Sequence, residues 1–248
     1  MITVPTFTRG PLGGHARPTA FGGSTYLFFS QADAFGAILW EAGVTVPHDP
    51  IFDPIFDPGI PDAKATLRRE VLARRRAAHA GKGACAGRDL RARVIAEIQS
   101  QGKIIAGYWP LGDEIDPRPT LIALGEAGGQ IALPAVAGQG LVLIFRGWRN
   151  GDALESGPFG TAHPPSRAPL VEPDTLLLPL IAFDAKGNRL GYGAGYYDRT
   201  VAALRKRRKI LVVGVAYDEQ EVADVPVTAH DQRLDGMITD RRTLWFEA

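Results

Sequence analysis

The stretch from Leu176 to Arg199 reads LLLPLIAFDAKGNRLGYGAGYYDR and places an apolar run, a turn and a glycine-rich loop in direct succession. The apolar run has no polar alternation, which is typical of a strand that is covered on both faces. Three alternate glycines, Gly191, Gly193 and Gly195, then precede a helical pattern. A buried strand that leads through a glycine loop into a helix favours an α/β fold.

The chain from Asp62 onward repeats this alternation of apolar runs and helical stretches. Apolar spacing predicts helices over 62–80, 88–99, 117–127 and 196–207, and strands over 104–109, 130–136, 141–147, 175–183 and 209–217. Because the connection between the second and third strands is short, this pair is predicted to be antiparallel. We therefore expect a three-layer α/β/α fold, Rossmann-like, with a mostly parallel sheet.

Residues 1–61 differ in composition from the rest. They contain many glycines and prolines, few charges and the near-repeat of 50–54 in 55–58. Proline removes backbone donors and interrupts helices and central strands. The pattern predicts an irregular, poorly ordered N-terminal extension over 1–61, followed by one α/β domain over 62–248.

Composition narrows the class of protein. The chain has 248 residues, 45% hydrophobic content and a formal charge of +1, so it is expected to fold and to lack a global field for nucleic acid or membranes. The single cysteine, Cys85, suits a reducing compartment. No run approaches the roughly 20 apolar residues of a membrane span, and the sequence before the domain is not expected to be a secretory signal. We expect a cytoplasmic protein without nucleic-acid or membrane partners.

The glycine loop and two aspartates form a candidate phosphate and metal site. Glycines let the backbone approach a ligand, and a helix N-terminus favours phosphate. Asp198 in the first helical turn would repel a polyphosphate unless a cation lies between them. Mg²⁺ binds one or two carboxylates together with phosphate oxygens, and Asp231 is the best second ligand. Alternatively, the glycines serve turns, Asp198 complements the helix dipole and Asp231 is a turn residue.

Three motifs together make the interpretation specific. The segments 178–184 and 189–198 resemble the signature of the 5-formyltetrahydrofolate cyclo-ligase family. The residues Lys64 to Arg68 resemble the N-terminal Lys-x-x-Leu-Arg helix of that family, and 108–110 with 113–116 resemble its folate-facing strand end. The resemblance extends from Lys64 to the C-terminus. It implies an α/β enzyme that converts 5-formyltetrahydrofolate to 5,10-methenyltetrahydrofolate with ATP and Mg²⁺.

The resemblance also implies roles for individual residues. The residues expected to bind ATP are Lys64, Arg68, Arg189, Leu190, Gly191, Gly193, Ala194, Gly195 and Tyr197. Among these, Arg189 and Tyr197 are expected to act in catalysis. The residues expected to bind the folate are Trp109, Glu114, Tyr192 and Tyr196, and those expected to hold Mg²⁺ are Asp198 and Asp231.

The chain departs from the family pattern at three positions. Tyr192 and Ala194 stand where the family often has basic residues, which reduces the positive charge of the loop. His163 precedes Pro164 where a glutamate is common.

Two other classes of protein remain open on the residues alone. A sugar-phosphate isomerase or a CoA transferase can use a similar sheet without ATP, because fold does not fix function. A nucleic-acid accessory protein is the non-enzyme alternative, based on arginine-rich segments such as 205–209.

Overall fold

The computed structural model describes residues 59–247. Most of the predicted N-terminal extension, residues 1–58, lies outside the described residues. The helices are α1 (Gly59–Glu97), α2 (Arg118–Glu126) and α3 (Tyr196–Arg207), with 3₁₀ turns at Pro158–Gly160 and Asp218–Gln220. The strands are β1 (Ile104–Ala106), β2 (Gln130–Val136), β3 (Leu143–Gly147), β4 (Glu155–Ser156), β5 (Ala162–His163), β6 (Leu170–Val171), β7 (Thr175–Pro179), β8 (Ala182–Phe183), β9 (Arg189–Leu190), β10 (Leu211–Ala216), β11 (Gly236–Thr239) and β12 (Thr243–Trp245).

Eight strands form the main sheet in the order β12-β11-β10-β7-β1-β2-β3-β6. The five central strands, from β11 to β2, run parallel, whereas β12, β3 and β6 pair antiparallel at the two edges. The predicted mostly parallel sheet and the antiparallel β2–β3 pair are therefore confirmed. Two small antiparallel pairs, β4–β5 and β8–β9, lie outside the main sheet.

Helices cover both faces of the sheet, as the apolar strands predict. On one face, Leu90 of α1 and Leu121 of α2 belong to the same buried cluster as Ile105 and Val213 of the sheet. On the other face, Val201 of α3 packs into a second cluster that includes residues of β7 and β10. The three-layer α/β/α expectation is confirmed. None of the helices formed by residues 59–247 combines the length and the apolar character that a bilayer crossing requires.

The N-terminal helix is one element rather than two. The predicted break at Gly81 is wrong, because α1 continues for 39 residues from Gly59 to Glu97, and the predicted N-cap Asp62 lies inside it. Ala78 and Ala86, which lie on either side of Gly81 and Gly83, belong to the same core cluster. Tertiary packing therefore outweighs the weak helix propensity of glycine here. At about 1.5 Å per residue, the 39 residues of α1 form a helix roughly 58 Å long.

The strand predicted over 175–183 is divided into β7 and β8. Pro179 ends β7, and the side-chain amide of Gln220 donates to the carbonyl oxygens of Leu180 (2.8 Å) and Ile181 (3.0 Å). A side chain from a distant segment thus satisfies the backbone where the ladder stops. The segment that follows is directed into β8, β9 and the glycine loop.

Candidate active site

The glycine loop lies on the surface of the domain, directly before α3. The backbone has a φ of 104° at Gly193 and of 67° at Gly195, values that side chains other than glycine rarely adopt. Gly191, Tyr192, Gly193 and Ala194 are exposed. The loop is therefore open to a ligand, and at least two of its glycines are required by the backbone conformation.

Two cations at the start of α1 reach this loop. The ammonium of Lys64 lies 2.6 Å from Oδ2 of Asp231, and Nε of Arg68 donates to the carbonyl oxygen of Gly191 at 2.9 Å. Burial lowers the pKa of Arg68, and the Asp231 carboxylate opposes this effect. The spacing of four residues in α1 thus brings both cations to one place, as predicted.

Asp198 and Asp231 are linked through Gln232, which follows Asp231 in the chain and binds Asp198. Oδ1 of Asp198 accepts the backbone N–H of Gln232 at 3.0 Å and a terminal nitrogen of Arg189 at 2.7 Å. The other terminal nitrogen of Arg189 donates to the carbonyl oxygen of Gln232. Arg189 is buried, so it fixes the loop around Gln232 against the first turn of α3.

Asp198 and Asp231 are the residues near the loop that could hold a divalent cation. Oδ2 of Asp231 accepts from Lys64 and from Thr228, whereas Oδ1 of Asp231 and Oδ2 of Asp198 make no hydrogen bond within residues 59–247. Burial opposes ionisation, but Lys64 and Thr228 together lower the pKa of Asp231. Each carboxylate therefore retains a free oxygen of the hard type that Mg²⁺ prefers. The described part of the chain contains no cluster of three or more His, Cys, Asp or Glu spaced for one metal ion, so water and a ligand would have to complete the shell.

A second polar cluster surrounds Glu114. This side chain is buried, and its oxygens accept the hydroxyl of Tyr192 (2.8 Å) and the backbone N–H of Leu111 (2.8 Å). Burial raises the pKa of Glu114, while the two hydrogen bonds and the charge of Arg75 oppose the rise. Burial also raises the pKa of Tyr192 to about 12, so the hydroxyl stays protonated at neutral pH. Tyr192 links the glycine loop to Glu114.

Arg75 completes this cluster and was not predicted from the sequence. Only 3% of this residue is exposed, and its terminal nitrogens donate to the Tyr192 hydroxyl (2.9 Å) and to Asp113 (2.5 Å). Burial alone lowers the pKa of Arg75, but Tyr192 and Asp113 raise it above its ordinary value. The sequence contained a signal for this role, because Arg75 lies two helical turns after Arg68 on the same face of α1. Its neighbours Arg74 and Arg76 conceal that signal in a run of arginines.

The aromatic candidates occupy different environments. Trp109 packs edge-on against Trp148 at a centroid distance of 5.9 Å and lies under the guanidinium of Arg118, so its predicted contact with the substrate stays a prediction. Tyr196 and Tyr197 both pack against the core cluster on the α3 side. Burial raises the pKa of Tyr197, as does the nearby Glu114 charge, so its hydroxyl is a donor and not an anion at neutral pH.

Other predicted residues act through the backbone. The side chain of Leu190 is buried in a small cluster with Val71 and Ile181, so only its main chain is close to the loop. Ala194 contributes no charge, but its carbonyl oxygen accepts a terminal nitrogen of Arg199 at 2.8 Å.

An exposed phenylalanine stands beside the loop. Phe159 has a φ of 60°, is 76% exposed and lies with its ring centre 6.4 Å from that of Tyr196. A non-glycine residue in this conformation is strained, and such strain is concentrated at functional sites. The flat surfaces of Phe159 and Tyr196 therefore border the same open region as the glycine loop.

Comparison with known proteins assigns this arrangement to a family. The model of the 5-formyltetrahydrofolate cyclo-ligase family matches residues 61–240. A 5-formyltetrahydrofolate cyclo-ligase of Mycolicibacterium smegmatis is 30% identical over 190 residues, which are 73% of this chain and 96% of that protein. The chain belongs to the 5-formyltetrahydrofolate cyclo-ligase family.

Other cyclo-ligases and solved structures agree with this assignment. The cyclo-ligase of Escherichia coli (strain K12) is 32% identical over 143 residues, which are 54% of this chain and 76% of that protein. The structure of the 5,10-methenyltetrahydrofolate synthetase of Aquifex aeolicus has a TM-score of 0.62 and 28% identity and covers 75% of this chain and 93% of its own. The synthetase structure of Mycoplasma pneumoniae, at 24% identity and a TM-score of 0.57, shows the same fold. The resemblance drawn from the motifs is confirmed at the level of family and fold.

We expect the protein to lose much stability when the buried side chain of Arg75 is replaced. Arg75→Met removes the cation that lies beside Asp113 and beside the buried Glu114. We expect the free energy of unfolding in urea to fall by about 3 kcal/mol. The matched control is Arg76→Met, because Arg76 lies within 3.7 Å of the same Asp113 but is largely exposed. We expect that control to change stability by no more than about 0.5 kcal/mol. Equal losses in the two variants would contradict the role of Arg75.

Proposed function

We propose that this chain converts 5-formyltetrahydrofolate to 5,10-methenyltetrahydrofolate and converts ATP to ADP and phosphate in the same reaction. The observation that carries the proposal is the convergence of Lys64, Arg68, Asp198 and Asp231 on the exposed glycine loop. Cations, carboxylates and an open glycine backbone in one place are the components of a site for a nucleotide polyphosphate. Family membership supports the folate substrate and favours this reaction over the isomerase and transferase alternatives.

The reaction balances without a protein nucleophile. The N5-formyl oxygen attacks the γ-phosphorus of ATP, the bond to the β-phosphate oxygen breaks and ADP leaves. N10 of the folate then attacks the activated formyl carbon and loses its proton to solvent or to the phosphate, and the C–O bond breaks to release phosphate. The protein is required to hold the formyl oxygen in line with the γ-phosphate and to exclude competing water.

In the proposed reaction, the residues around the glycine loop stabilise the negative charge of the phosphates. Lys64 and Arg68 lie where they can neutralise the transferred phosphoryl group, and the open backbone of 191–195 provides N–H donors to the phosphate oxygens. Arg189 keeps Asp198 in place through its ion pair and does so from a buried position. Asp198 and Asp231 would hold Mg²⁺, which when bound supplies positive charge to the phosphates.

In the proposed reaction, Glu114 and the residues around it bind the folate. A buried carboxylate can accept two adjacent N–H donors of a pterin ring, and Glu114 has this geometry available once Tyr192 releases it. Tyr192 therefore connects the proposed phosphate site with the proposed folate site, because it lies in the glycine loop and its hydroxyl bonds Glu114. Tyr196 supplies flat surface at the start of α3, and the contact of Trp109 with the folate stays a prediction. A cytoplasmic location also stays a prediction, as do the absence of nucleic-acid and membrane partners.

One assay tests the proposed reaction. The protein is mixed with 5-formyltetrahydrofolate, ATP and Mg²⁺, and the absorbance of the methenyl product and the release of ADP are followed together. We expect one ADP per methenyl group formed and no product without ATP. A methenyl product that forms equally well without ATP, or ADP release that does not depend on the folate, would overturn the proposal.

The raised pKa of Glu114 predicts a pH dependence of folate binding. As the pH falls through this pKa, the carboxylate of Glu114 gains a proton and loses a hydrogen-bond acceptor, so the folate KM should rise. Because the pKa is raised, this increase in KM should begin at a higher pH than it would for an ordinary glutamate. Glu114→Gln should raise the folate KM by about tenfold to a hundredfold and remove this acidic limb, while the ATP KM changes less than twofold.

Asp116→Asn is the matched control for that substitution. Asp116 lies in the same segment, but it pairs with Arg118 on the surface and should leave both KM values unchanged. If Glu114→Gln retains the acidic limb of the wild type, another group is responsible for the pH dependence.

A further inference from the structure

The guanidinium of Arg199 lies against the C-terminal end of the glycine loop. One terminal nitrogen donates to the carbonyl oxygen of Ala194 at 2.8 Å, and the other lies 2.7 Å from the point where a Cβ on Gly195 would stand. The centre of the guanidinium is 5.3 Å from the centre of the Tyr196 ring. The absence of a side chain at Gly195 therefore makes room for Arg199 as well as permitting the left-handed backbone.

The charge of Arg199 is not neutralised by any carboxylate among residues 59–247. Its Nε is buried without a hydrogen-bond partner, and the single hydrogen bond of its guanidinium in this part of the chain goes to the Ala194 carbonyl. Two other arginines of α3 differ, because Arg205 pairs with Asp235 and Arg207 pairs with Glu172. A partly buried cation without an anion costs free energy, which an anionic ligand would offset.

Arg68 has a matching position on the other side of the loop. Its Nε binds the carbonyl of Gly191, and a terminal nitrogen lies 3.3 Å from the position of a Cβ on Gly193. Like Arg199, it has no ion pair shorter than 4 Å to a carboxylate in the described residues. Two guanidinium groups therefore flank the bend, one at each end, and each retains free donors.

We propose that Arg199 contacts the polyphosphate of the nucleotide and, together with Arg68, encloses it from both ends of the loop. The inference rests on the proposed function. A nucleotide is favoured over the carboxylates of the folate because Arg199 follows Asp198 in sequence and lies at Ala194 and Gly195. The folate side of the loop is instead at Tyr192, whose hydroxyl bonds Glu114. Planar guanidinium forks suit phosphate oxygens, and this one supplies charge to a loop segment whose own side chain at 194 is neutral.

Binding of Mg-ATP to the protein without folate, measured by titration calorimetry, tests this role. Arg199→Gln should weaken the Kd about tenfold, and Arg199→Lys should lose less because the charge remains. The control Arg207→Gln, on the same helix and exposed, should bind as the wild type does. Ala194→Lys introduced into Arg199→Gln should recover at least part of the lost affinity, since it returns a cation to the same end of the loop. A purely structural role would not give this recovery.

Several outcomes would overturn the inference, and they are distinguishable. If Arg199→Gln binds Mg-ATP as tightly as Arg207→Gln does, Arg199 makes no contact with the phosphates. If its Kd for Mg-ATP is unchanged but its folate KM rises, Arg199 recognises the folate carboxylates instead. If the wild-type protein itself binds no Mg-ATP, the proposed function fails together with this inference.

Discussion

The ion pair between Arg189 and Asp198 is the interaction on which the site depends. Arg189 comes from β9, Asp198 from the first turn of α3, and both bind the main chain of Gln232 in a third segment. Because Arg189 is buried, its charge requires these partners, and breaking such a contact is costly. The bend between β9 and α3 is therefore fixed at both ends, and Asp231 is held next to it.

The long helix α1 contributes side chains both to the glycine loop and to the cluster around Glu114. Its first turns bring Lys64 and Arg68 to the glycine loop, and two turns after Arg68 it brings Arg75 to Tyr192. A single rigid element thus determines the distance between the cations for the phosphates and the support for Glu114. The same helix also supports Tyr192, the residue of the glycine loop whose hydroxyl bonds both Arg75 and Glu114.

Much of this arrangement could be predicted from the sequence. The apolar runs around Leu177 and Val213 have no polar alternation, so a sheet covered on both faces follows from them, and α3 was predicted with its observed bounds. The four-residue spacing of Lys64 and Arg68 predicted their common face. The continuity of α1 could not be predicted, because Gly81 and Gly87 have weak helix propensity, whereas Ala78, Ala86 and later residues of the helix pack into one core cluster that the sequence does not reveal. The burial of Arg75 depends on Tyr192, more than a hundred residues away, and no local pattern reports such a contact.

The central claim is that nucleotide phosphates bind at the glycine loop with a divalent ion between two remote aspartates. A crystal structure of the protein with Mg²⁺ and a non-hydrolysable ATP analogue tests it most directly. The phosphates are expected within hydrogen-bonding distance of the 191–195 backbone and of Arg68, with the metal bound by Asp198 and Asp231. Phosphates bound elsewhere on the domain, or a metal that touches neither carboxylate, would contradict the claim.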